Sequence, residues 1–250
     1  MLIDMHCHLD LMSDMRKIIC EIEKQEIGVF AVGTTPLAYQ TDKDFCRNAM
    51  NAYVALGLHP QLAGQKWGNL QLFLKFLQQS RYVGEIGLDF NKKFIATKDT
   101  QLWNLDAIFR ECKRIGGKVI SIHAVKAVSD VNSLIEQYDL CCNNICIYHW
   151  YTGTLPQLSR AVKMGCYFSV NPKMMNTKSG TVAIRNIPND RLLVESDAPY
   201  AYKVHSAYDL NKLINKCIYG ISTIKGYDMR QNIERNSCRI LSGRLSCLYY

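Results

Sequence analysis

Residues able to do chemistry recur in this chain at a nearly constant interval, each at or just past a short apolar run. His6, Gly33, His59 and Glu85 stand 26 or 27 residues apart, His149 follows His123 by 26, and Asp197 follows Ser169 by 28. A regular strand–helix repeat is the simplest cause. Eight such units close into a (β/α)8 barrel of about 250 residues, and the chain has 250.

The apolar runs fit that expectation. Strands are predicted over Leu2–His6, Gly28–Thr34, Ala52–Leu58, Tyr82–Leu88, Lys118–His123, Asn144–His149, Cys166–Val170 and Arg191–Ser196. Each is short and bounded by Gly, Pro, Asn or a charge. Val29–Val32 and Val119–Ile122 lack polar alternation, as strands covered on both faces do. Helical periodicity fills the gaps over Leu70–Leu77, Leu102–Ile115 and Val128–Tyr138. Two closing helices are predicted around Tyr208–Ile218 and Tyr227–Leu241. Such alternation predicts an α/β protein, a single TIM-type (β/α)8 barrel domain over 1–250. The competing doubly wound sheet lacks its Gly-rich turn after the first strand.

Composition narrows the setting. Hydrophobic residues make up 48% of the chain, enough for a large core. No uninterrupted apolar run of about 18 residues is present, so no membrane association is expected, and no secretory leader is visible at the start. Eleven cysteines, odd in number and irregular in spacing, suit a reduced, cytoplasmic protein. Cys141-Cys142-x-x-x-Cys146 could bind a metal but has no matching second pair. The formal charge of +8 weakly favours an anionic partner. Much of it lies in Lys212, Lys216, Lys225, Arg230, Arg235, Arg239 and Arg244, where helix surfaces are the plainer reading.

In a barrel, the rim at the C-terminal ends of the strands carries the active site. His6 and His8 follow strand one, and residues two apart in extended chain point the same way. Glu85 sits inside the apolar Val83–Leu88 run, where a carboxylate is costly to bury without a cation or hydrogen bonds. Asp197 ends Leu192–Ser196 in the same manner, and His123 and His149 end two further strands. Four imidazoles and two carboxylates from five strand ends suit Zn, Mn, Fe or Co, with Mg possible. A salt bridge for Glu85, or satisfied core histidines, are the alternatives for single members. No Gly-x-Ser-x-Gly elbow or phosphate-binding P-loop competes.

These landmarks are similar to those of the TatD family of metal-dependent deoxyribonucleases, within the amidohydrolase superfamily. The matching pieces are Ile3-Asp4-Met5-His6-Cys7-His8, Leu56-Gly57-Leu58-His59-Pro60, Val83-Gly84-Glu85-Ile86-Gly87-Leu88-Asp89, His123, His149 and Leu193–Tyr200. The resemblance implies two divalent metal ions, usually Mg, with Zn or Mn in some sites. His6, His8 and Asp197 would hold one ion, His123 and His149 the other, and Glu85 would bridge. It also implies phosphodiester hydrolysis, trimming DNA (single strands or 3′ ends). Two metals about 3.5–4 Å apart would stabilise the attacking and leaving oxygens. Asp197 is the expected general base. His59 is expected to contact the phosphate or the attacking water, and Glu195 matches a rim acid.

The substrate-reading surround is expected to include Lys126, Lys173, Trp150 and Tyr200. Lys92, Lys93 and Lys178 are placed with Lys126 and Lys173 in loops after strands, and Tyr151 is a further candidate base-stacking residue. This surround departs from the family pattern. Val125 stands where many relatives have arginine, Trp150-Tyr151-Thr152-Gly153 replaces Cys-Phe-Ser-Gly, and the 91–100 loop is short. Short, divergent relatives encoded with phage-defence proteins are also similar, which would imply protein partners in a defence system. Two other functions compete: hydrolysis of a small cyclic amide, lactone or nucleobase, and a metal-binding scaffold subunit of such a complex. Sites of the first kind often bridge their metals with a lysine, and none stands at position 85.

Overall fold

The computed structural model describes residues 1–241; Arg244 lies outside the described residues. Eight strands alternate with helices: β1 (Leu2–Cys7), α1 (Met15–Ile22), β2 (Ile27–Val32), α2 (Tyr39–Phe45), β3 (Ala52–Ala55), α3 (Leu70–Leu77), β4 (Tyr82–Asp89), α4 (Lys98–Ile115), β5 (Val119–Val125), α5 (Val128–Gln137), β6 (Ile145–His149), α6 (Leu155–Lys163), β7 (Tyr167–Val170), α7 (Lys178–Asn186), β8 (Leu192–Val194), α8 (Ala207–Lys225) and α9 (Arg230–Leu241). The fold is the TIM-type barrel that the repeat predicts.

All ladders are parallel and run in chain order, β1-β2-β3 and β4 through β8. A few backbone hydrogen bonds stitch the two groups together at each seam. Leu56 bridges Val83, and Leu58 N–H donates to Glu85 O at 3.0 Å. At the other seam Asp197 N–H donates to His6 O at 2.9 Å, and His8 N–H to Ala198 O at 2.8 Å. This explains why β3 and β8 are shorter than expected: beyond Ala55 and Val194 the backbone turns toward a different neighbour.

Strand side chains alternate in direction, and the interior columns are visible in the packing. Ile3, Met5, Phe30, Val32, Ala55, Val119, Ile147, Tyr167 and Leu193 pack together with Ile240 and Leu241. The other faces pack against the helix layer in a larger cluster that includes Val29, Val83, Ile120, Tyr148 and Phe168. Followed two residues at a time toward the C-terminal ends, the interior columns turn polar. Val119 gives way to Ser121 and His123, Ile147 to His149, Tyr167 to Ser169 and Asn171, and Leu193 to Glu195 and Asp197.

Two strands leave strict register where function is expected. The β1–β2 ladder shifts between Asp4 and Cys7, and the β4–β5 ladder between Val83 and Ile86. His6 and Glu85 stand inside those shifts, and such irregularities re-aim a side chain. Gly87 then allows a close approach that no other residue would. Its φ is +145°, and a Cβ there would lie 2.0 Å from His123 O.

Candidate active site

The rim encloses a cavity of about 510 Å³ whose walls include His8, His59, Glu85, His123, His149, Trp150, Asp197 and Tyr200. His6 is completely buried beneath it. Thr152, from the segment that departs from the family pattern, also lines the cavity, as do Thr34, Gln61 and Leu62, which the sequence did not single out.

Glu85 organises the floor. Its Oε2 faces one pair of histidines, His8 Nε2 at 3.3 Å and His6 Nε2 at 3.5 Å. Oε1 faces another group, His123 Nδ1 at 2.7 Å, His149 Nε2 at 2.9 Å and His59 Nε2 at 3.3 Å. Asp197 Oδ1 lies 3.9 Å from His6 Nε2 and 3.7 Å from His8 Nε2. The two oxygens of one carboxylate therefore look into two nitrogen-rich half-sites.

Buried polar atoms without a partner are rare in folded proteins and call for a cause. Here they include His6 Nε2 and both ring nitrogens of His8. Lone pairs left bare in a buried nest of imidazoles and carboxylates are what a divalent cation satisfies. Ligand atoms of His6, His8 and Glu85 lie close enough to share one ion. So do those of His59, Glu85 and His123, and of His6, His149 and Glu195. The donor set fits a metal centre.

A ring of polar side chains fixes these groups. His6 Nδ1 meets Ser121 Oγ at 2.8 Å. His123 Nε2 reaches Asp89 Oδ2 at 3.3 Å, and that same oxygen accepts a 2.7 Å bond from Gln61 Nε2. Glu195, completely buried, accepts from Trp150 N–H and from Asn171 Nδ2, each at 3.0 Å, and from Ser169 Oγ. It lies 3.5 Å from His149 Nδ1. Carboxylates behind a ligating histidine set its tautomer and orientation. Asp89 and Glu195 were visible in the sequence motifs, but the histidine each one serves was not.

The electrostatics follow from burial and this crowding. Burial alone would raise the Glu85 carboxyl, but His59, His149, His6 and His123 together hold it well below the usual range. Burial lowers His6, with His149 adding to the effect, and burial also lowers His59. His149 is raised despite burial by Glu85 and Glu195. His123 is raised against burial by its bonds to Asp89 and Glu85. Burial, aided by Glu195 and Glu85, pushes Asp197 up to about 7. Asp197 and Trp150 also hold left-handed backbone, φ +49° and +40°, a conformation that clusters at functional sites.

The predicted substrate-reading residues divide. Trp150 and Tyr200 line the cavity, and Tyr200 sits edge-on to His8 with ring centroids 5.0 Å apart. Lys173 lies outside the lining, its Nζ 5.6 Å over the Trp150 ring and 5.5 Å over Tyr202. Lys126 is exposed just beyond β5 and is also outside the lining. Lys92 and Lys93 are exposed between β4 and α4. Tyr151 is buried and its hydroxyl bonds Thr154 O at 2.9 Å, so it is unavailable for stacking. Lys178 is not in a loop. Thr177 caps the helix through its side chain, making Lys178 the first residue of α7.

A family model described as TatD related DNase matches residues 3–242. The chain belongs to that family. A relative in Encephalitozoon cuniculi bearing the name TATDN1 homolog is 26% identical over 179 residues, covering 70% of this chain and 62% of that protein. A 3'-5' ssDNA/RNA exonuclease TatD of Pantoea ananatis is 27% identical over 203 residues, covering 75% of this chain and 74% of that one. Among solved structures, YJJV, a TatD homolog from Escherichia coli k12, superposes with a TM-score of 0.82 at 20% identity, covering 96% of this chain and 98% of that one. That likeness bears on the fold. No helix among the described residues is long and apolar enough to cross a membrane.

Proposed function

We propose that this chain is a metal-dependent phosphodiesterase that trims single-stranded DNA from the 3′ end. The observation that carries the reading is the Glu85 carboxylate, with each oxygen turned toward its own set of buried, partly unpartnered imidazoles on the floor of an open cavity. His6, His8 and Asp197 would hold one divalent ion and His123 and His149 a second, with Glu85 between them. Such ions polarise a phosphoryl oxygen and make water a better nucleophile near neutral pH. The TatD relatives named for DNA and RNA exonuclease activity support nucleic acid as the substrate.

The chain's own groups supply the remaining functions. The Asp197 carboxylate, which faces the same half-site as His6 and His8, is placed to take a proton from the attacking water and return it. His59 Nδ1 accepts from Gln61 N–H at 3.2 Å, so the neutral ring carries its proton on Nε2, directed at Glu85 Oε1 3.3 Å away. The ring lines the cavity, beside where the substrate phosphate would lie. Trp150 and Tyr200 offer ring faces for unpaired bases, a contact of about 1–3 kcal/mol each.

The test is cleavage of 3′- and 5′-labelled single-stranded DNA with Mg, Mn or Zn, alongside an Asp197→Asn control. Metal-dependent shortening from the 3′ end that vanishes in the control is the expected result. Absence of cleavage by fully metallated protein would overturn the proposal.

A further inference from the structure

A group of thiols lies at the opposite end of the barrel from the candidate active site. Cys141 belongs to the single turn Leu140–Cys142 leading into β6, and Cys166 immediately precedes β7. Their Sγ atoms are 3.8 Å apart. Cys166 is fully buried, whereas Cys141 is partly exposed and lies on the wall of a hollow of about 470 Å³. Arg81, Lys118, Arg191 and Arg239 share that wall, and among the described residues no carboxylate lines it. Thiol hydrogen bonds from Cys146 and Cys166, helped by the Arg191 guanidinium, hold Cys141 below the usual thiol range despite burial.

We propose that Cys141 and Cys166 form a redox-modification site, in which a small peroxide oxidises the pair to a reversible disulfide. A sulfur–sulfur bond needs about 2.05 Å, and rotation of the partly exposed Cys141 side chain is the motion that closes the gap. The chain just before Cys166 already runs beside Cys141, since a Cβ placed on Gly165 would lie 3.8 Å from Cys141 Cβ.

The chemistry balances with hydrogen peroxide as the named oxidant. The Cys141 thiolate attacks one peroxide oxygen, breaking the O–O bond, giving Cys141 sulfenic acid and hydroxide. The Cys166 sulfur then attacks the Cys141 sulfur. The S–O bond breaks and the sulfenic oxygen leaves as water, taking the thiol proton. Two thiols lose two electrons, and one peroxide becomes two waters. Cys141 is the reactive partner because only a thiolate with access to the oxidant attacks readily. Cys166 resolves the intermediate from the buried side, and a neighbouring resolving thiol is a common feature of redox-sensing cysteines.

Peptide mapping of the full chain after hydrogen peroxide and thiol blocking tests the idea. The expected result is loss of two hydrogen masses, with a peptide carrying Cys141 joined to one carrying Cys166, fully reversed by dithiothreitol. Cys146→Ser should retain the link and Cys141→Ser should abolish it. The wild-type map decides the question even if a variant folds poorly. A link to Cys146 instead, or advance of Cys141 to sulfinic acid with no link, would overturn the proposal. So would oxidation confined to the exposed Cys20 and Cys142, or a tightly held metal ion on these thiols.

Discussion

Asp197 is held to the site by three separate constraints: its N–H bonds His6 O, its backbone is left-handed, and its carboxyl faces His6 and His8. Asp197→Asn keeps size and removes basicity, so the turnover number should fall by about 10²–10⁴-fold while the thermal midpoint moves little. Steady-state kinetics beside a melting curve check this, and retained turnover would end its role as base. Glu195 meets the chemistry beside His149 and the Trp150 backbone. Glu195→Gln should therefore lower metal affinity by roughly 10–100-fold with folding preserved, measured by competition with a metal-sensitive dye. At this scale, residue types at strand ends made His6, His8, Glu85, His123, His149 and Asp197 legible. The pairings of Ser121 with His6, Asp89 with His123 and Ser169 with Glu195 were not, because each depends on register between distant segments. Lys173 and Lys126 stay off the cavity lining for a related reason: a loop charge has no periodicity to say where it points.

Among the secondary elements, strand existence was readable from apolar runs, and the ends were not. β8 stops at Val194 because Asp197 and Ala198 bond β1, a choice made by barrel closure rather than by local sequence. The shifts in β1 and β4 were equally hidden, since a bulge leaves no composition mark beyond a glycine. Gly87 is the sharpest case. A methyl group there would meet His123 O in a backbone conformation L residues rarely adopt, so Gly87→Ala should cost about 2–4 kcal/mol. A urea midpoint shift at unchanged slope is the measurement. α2 carries a separate pH signature. Asp42 is pushed up to about 7 by burial and by the nearby Asp10 carboxylate, whereas an unfolded aspartate titrates near about 3.9. Between those values the unfolded chain binds fewer protons, so stability falls as pH rises from about 4 to about 7. Asp42→Asn should flatten that part of a pH–stability curve, and an unchanged slope would show that the shift does not act on folding.

Considered whole, the molecule combines a formal charge of +8 with a rim of mixed character. Not all of that charge is available to a partner. Lys118 is buried against Leu77 O and Ser80 O, and Lys225 turns onto Arg185 O and Ile187 O. Exposed Lys92, Lys93 and Lys126 lie in the connections that follow β4 and β5, on the same side as the cavity. A nucleic-acid strand entering there would displace counterions, and each neutralised phosphate contributes about −0.7 to the log–log salt slope for single strands. Contact with about four phosphates would give a slope near −3. With Asp197→Asn, to separate binding from cleavage, the affinity for single-stranded DNA should follow such a line. Replacing Lys92 and Lys93 by alanine should make it shallower by about 1.4 units if each meets one phosphate. A salt-independent affinity would point instead to a small neutral substrate held by the cavity walls, because the floor chemistry would serve either one and only the charged rim distinguishes them.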